Sequence, residues 1–141
     1  MKKATLGFRV HSGWSAVVVV SLEQGEPVVL RRQRLQLVET FSYTFRQPYH
    51  TAEKMPLAEG AEFVAGVRTA ATDLACASLL AMRAELKELG WQLDRAALLL
   101  ASGRPLPEFE KILSSHALIH TADGELFREA IRGACARCRL R

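Results

Sequence analysis

The stretch Gly7-Phe-Arg-Val-His-Ser-Gly-Trp-Ser-Ala-Val-Val-Val-Val20 constrains this chain more than any other. Leu6, Phe8 and Val10 alternate with other residues, which puts them on one face of a half-buried strand from Ala4 to Val10. His11-Ser12-Gly13 leaves room only for a tight turn, so the valine-rich Trp14–Leu22 segment must run back as an antiparallel neighbour. Glu23-Gln24-Gly25-Glu26 is a second turn. It leads into a third strand, Pro27 to Val38, whose Arg31, Arg32 and Arg34 suit a charge-protected sheet edge.

The next segment, Glu39 to Gly60, is less regular. Phe41, Tyr43 and Phe45 alternate, so the third strand extends or a short extra strand follows, until Gln47-Pro48 stops it. Ala61 to Leu89 keeps helical spacing through Phe63, Val67, Ala70, Leu74, Ala77, Ala81 and Leu86, and Gly90 ends it. Trp91 to Ala101 contains a continuous apolar run and reads as a buried parallel strand. A loop through Ser102-Gly103-Arg104-Pro105 precedes a short helix, Glu108 to Ser114. Ala117-Leu118-Ile119 reads as a fifth strand. Thr121 is placed to cap a last helix, with Asp123 and Glu125 in its first turn.

At 141 residues, 49% of them hydrophobic and 24% charged, the chain suits one domain with a single core. The net charge of +4 favours anionic partners only where it is clustered. No run approaches the roughly 18 apolar residues of a membrane span, and the region after Met1-Lys-Lys is broken by Arg9 and His11. A cytoplasmic location without membrane attachment is the expectation. Three cysteines, an odd number, fit free thiols. Cys135-Ala-Arg-Cys138 is a lone CxxC near the end of a helix, lacking the second ligand pair of a zinc site.

The order β-β-β-α-β-α-β-α resembles the ribonuclease H-like superfamily, which includes Holliday-junction resolvases and the core of actin-like ATPase domains. The resemblance lies in element order across nearly the whole chain. It implies a three-layer α/β fold, a five-stranded mixed sheet of order 3-2-1-4-5 and helices on its faces. It also implies a two-metal site whose first carboxylate stands on strand 1. Arg9, Val10 and His11 occupy that slot, and no acidic residue precedes Glu23. Leu98 to Ala101 lack the second acid, and only Glu125 or Glu129 could match the third. Two hard cations need more anionic oxygen than this. Nuclease chemistry of the usual kind, metal and cofactor are therefore not expected.

The implied topology brings the C-terminal strand ends to one edge, where open α/β sheets bind ligands. The expected ligand site there comprises His11, Ser12, Tyr49, His50, Arg104, His120 and Glu125. With the start of the last helix, this set suits a phosphate-bearing anion: a nucleotide, a phosphorylated small molecule or nucleic acid. The alternative is a hydrolase using a histidine as base, Arg104 to stabilise the developing anion and Glu125 to orient a histidine. His116 and His120 have metal-ligand spacing for a helix, but the strand reading of the residues between them argues against coordination.

Overall fold

A computed structural model describes residues 1–100 and 104–141. Its element order is β1 (Lys2–His11), β2 (Trp14–Glu23), β3 (Glu26–Gln36), α1 (Tyr43–Arg46), α2 (Pro48–Ala52), α3 (Leu57–Glu88), β4 (Trp91–Leu98), α4 (Phe109–Leu113) and α5 (His116–Arg137). The first three strands form the expected antiparallel meander, and β4 joins β1 in parallel. The sheet order is β3-β2-β1-β4. The hairpin turns at Gly13, whose φ of +81° is open to glycine but strained for other residues. A Cβ there would also meet Arg46 Cγ at 2.7 Å.

One face of the sheet is core. Ala4, Leu6, Phe8, Val17, Val19 and Leu35 point from it toward α3 and α5. Down its inner stripe α3 supplies Val64, Val67, Ala71, Ala75, Leu79, Met82 and Leu86. By length and composition alone α3 could cross a membrane, yet this stripe packs against the sheet and α5. Ile119, Ala122, Leu126, Phe127, Ala130, Ile131 and Ala134 give α5 a matching face. One ion pair ties the layers together, Arg31 on β3 with Glu85 on α3 at 2.6 Å, and another joins the two helices, Arg137 on α5 with Asp73 on α3 at 2.8 Å.

Four expectations need correction. Among the described residues there is no fifth strand, because Ala117, Leu118 and Ile119 form part of α5. A three-residue apolar run fits a buried helical turn as well as a strand. The helix starts at Ser115, whose side chain accepts from the Leu118 N–H, and not at Thr121, whose hydroxyl donates back to Ala117. Asp123 and Glu125 therefore lie well inside α5. The alternating aromatics of 41–45 enter α1 instead of extending β3, and the long connection folds into two short helices. The helices among the described residues leave the second sheet face bare, so the arrangement has two layers and not three. Strand β4 ends at Leu98, short of the expected Ala101: Leu99 and Leu100 are outside it, and Ala101, like Ser102, lies outside the described residues.

The CxxC separates. Cys138 leaves the end of α5 and meets Cys76 of α3, Sγ to Sγ at 3.2 Å, while Cys135 stays on its own helix face. Cys138 is 4% exposed, and burial together with the neighbouring Cys76 thiol pushes its pKa from 9.0 up to about 11. The folded chain thus keeps a proton that the unfolded chain releases above pH 9. This contribution is fully present below pH 9 and is lost as pH climbs through 11. A tenfold difference in proton affinity between the folded and unfolded chains is worth about 1.4 kcal/mol. Denaturant melts should therefore lose up to roughly 2 kcal/mol between those limits, and Cys138→Ala should flatten the decline. An unchanged slope in that variant would assign the alkaline loss to other groups.

Candidate metal centre

Pro48 opens α2 at its first position, where a missing N–H does no harm. The helix then points Tyr49 inward, 5% exposed, and sets His50 beside α5. On α5, His116, His120 and Asp123 stand at i, i+4 and i+7, which is one face of a helix. The His50 ring meets the His120 ring edge-on at 4.6 Å between centroids, and His116 lies 6.1 Å from His50. One ligand-capable nitrogen of each of the three imidazoles lies within 4.8 Å of the others.

Asp123 fixes the arrangement. It is 3% exposed and directs both oxygens at α2. Oδ1 accepts the Tyr49 backbone N–H at 2.6 Å, and Oδ2 accepts from His50 Nδ1 at 2.5 Å. Burial pushes the Asp123 carboxyl upward, and the His50 and Tyr49 hydrogen bonds oppose that push only in part. With Nδ1–H donated to Asp123, the lone pair of His50 is left on Nε2. A carboxylate behind the distal nitrogen is the usual way a ligating histidine is oriented and made more basic. The Tyr49 hydroxyl accepts from Arg68 of α3 at 3.0 Å, and Arg68 also pairs with Glu129 of α5 at 3.4 Å. Burial raises the Tyr49 pKa, against the lowering pull of Arg68. Three helices are therefore fastened around His50.

The residues expected to share one site divide into groups. His50 and His120 do come together, while Tyr49 turns its ring to Phe109 and its hydroxyl to Arg68 and shares only Asp123 with them, through its backbone N–H. His11 stacks on Trp14 instead, with centroids 4.1 Å apart and planes 10° from parallel. Ser12 offers its carbonyl to Arg46 Nε at 3.0 Å. Arg104 is exposed in the coil before α4. Among the described residues, no hydrogen bond, ion pair or ring contact joins His11 or Arg104 to the histidines. Glu125 pairs with Arg128 at 2.9 Å and with Arg132 at 4.0 Å. The carboxylate that orients a histidine is Asp123, two residues earlier. His116 and Asp123 are not among the expected site residues, because the strand reading of Ala117-Leu118-Ile119 separates His116 from His120 and Asp123 reads as a first-turn helix charge. The signal that could have found them is the His-x-x-x-His-x-x-Asp spacing behind the Ser115 cap.

No protein-family model matches the chain, and comparison with curated proteins and with solved structures gives no significant match. The functional reading therefore rests on this geometry.

Removing the Asp123 carboxylate strands a buried N–H on Tyr49 and another on His50. Asp123→Ala should cost roughly 1–3 kcal/mol, the range for a buried polar group left unsatisfied. Asp123→Asn keeps an acceptor for one of them and should cost about half as much. Chemical denaturation of both variants checks this ordering. Equal stability of Asp123→Ala and the parent chain would contradict it.

Proposed function

We propose that this chain binds a divalent transition-metal ion of the zinc class at His50, His116 and His120, and that the ion holds an anion at its open fourth position. The observation that carries the reading is the trio of imidazoles within 4.8 Å, one of them oriented by a buried carboxylate. Tetrahedral zinc at about 2.0–2.1 Å from nitrogen needs its ligands about 3.3 Å apart. His50 is tied to Asp123, whereas His116 and His120 are exposed, and binding requires their side chains to turn inward. Three neutral ligands leave the ion with both its charges, so a hydroxide, carboxylate or phosphate oxygen is favoured in the fourth position. The anion-binding function expected from the sequence is thus kept, with the metal supplying the charge assigned there to Arg104. Imidazole ligands also select against Mg²⁺, which demands oxygen.

Kinship with the ribonuclease H-like superfamily is likewise a proposal. Its support is the β3-β2-β1-β4 order with β1 and β4 parallel. The described chain supplies neither that fold's fifth strand nor its acid set.

Calorimetric titration should show one Zn²⁺ per chain and no response to Mg²⁺. His116→Ala and His120→Ala should each abolish tight binding while leaving the fold intact, because both residues are exposed. Asp123→Asn should weaken binding by about 10–100-fold, the usual effect of losing a ligand's carboxylate partner. Cobalt should give the intense visible bands of a four-coordinate ion, perturbed by added phosphate. Zinc uptake unchanged in both histidine variants would overturn the reading.

A further inference from the structure

The bare face of the sheet is organised, and it is separate from the histidine cluster. Register places Ala97, Gly7, Val18 and Arg32 in one row across β4, β1, β2 and β3. The adjacent row holds Arg9, Ala16 and Arg34. Gly7, Ala16, Val18 and Ala97 form the floor, with Arg32 and Arg34 on the edge strand β3 and Arg9 toward the end of β1. The result is an open trough of about 680 Å³ with an apolar floor, lined by three arginines and, among the described residues, no carboxylate. Within the same limits, neither Arg9 nor Arg32 has an ion-pair partner. Among the described residues the helices cover only the other face of this mostly antiparallel sheet.

We propose that the trough is a docking site for an acidic amphipathic helix of a partner protein. The row spans three inter-strand spacings, about 14 Å, and a helix with its side chains is about 10 Å across. Its apolar stripe would lie on Gly7, Ala16, Val18 and Ala97, with glutamates or aspartates on its flanks meeting Arg9, Arg32 and Arg34. Two other occupants fit the face less well. A second copy of the same face would set arginine against arginine. A nucleic-acid single strand would satisfy the arginines, but it stacks its bases on open aromatic faces. Trp14 has none to offer, because the His11 ring lies 4.1 Å from its centroid and the Arg34 guanidinium 3.9 Å. Two groups that close must occupy opposite sides of the indole.

The test uses fluorescence anisotropy with three probes at low and high salt. One is a labelled helical peptide of about 18 residues, five turns, with a leucine stripe and glutamate flanks. The second is the same peptide with lysine flanks, and the third is an oligothymidylate. The glutamate peptide should bind, and its affinity should fall several-fold at high salt, as charge complementarity requires. Val18→Asp and the separate double variant Arg32→Glu, Arg34→Glu should each cut it at least about tenfold, the scale of losing a desolvated contact or a charge pair. Both substitutions lie on the solvent face, and unchanged thermal melts keep a binding loss distinct from unfolding. No binding of the glutamate peptide, equal binding of the lysine peptide, or binding of the oligothymidylate alone would overturn the proposal.

Discussion

Two hydrogen bonds to one buried carboxylate hold this structure's functional end together. Asp123 reaches from the third turn of α5 to α2, a helix of five residues that could not hold its shape alone. An isolated carboxylate at 3% exposure is unfavourable, and its burial is offset because both oxygens accept. Gly60 permits the approach from the other side. A Cβ at that position would stand 3.1 Å from the Ala52 carbonyl, so a larger residue would push α3 away from α2. The placement of His50 on α2 is thus set by the packing of α2, α3 and α5 together.

The sheet has the complementary role. Its covered face anchors α3 and α5 through a continuous aliphatic core, which fixes α5 as the platform for His116, His120 and Asp123. Its other face is left with small residues and arginines. The proposed cation site thus lies on α2 and α5, and the proposed partner site on the sheet face turned away from the helices.

The meander and the long α3 are legible in their periods, two for Leu6, Phe8 and Val10 and near 3.6 for α3, although the buried stripe of α3 shares only Val67 and Leu86 with the residues read from its spacing; β4 is legible as a continuous apolar run. The edge position of β3 was legible in its arginines. The short elements were not. Ala117-Leu118-Ile119 is apolar in a way that suits either structure, and only the Ser115 hydroxyl on the Leu118 N–H decides for the helix. The strand assignment argues against coordination by His116 and His120, whose metal-ligand spacing is visible in the sequence. The aromatic alternation at 41–45 misled in the same way, since Tyr43 and Phe45 lie in a single helical turn. Asp123 was read as a helix-start charge because its partners, Tyr49 and His50, lie more than 70 residues earlier in the chain. The absence of carboxylates on strand 1 was legible directly, and it points away from a two-metal oxygen site.

The central claim is that His50, His116 and His120 converge on one ion. Anomalous diffraction at the zinc edge, on crystals grown with one equivalent of Zn²⁺, tests it most directly. The account predicts a single strong peak about 2.0–2.1 Å from a nitrogen of each of the three imidazoles, with Nε2 the ligating atom of His50 and Asp123 still on its Nδ1. A peak elsewhere on the chain, with the three imidazoles left unmetallated, would contradict it.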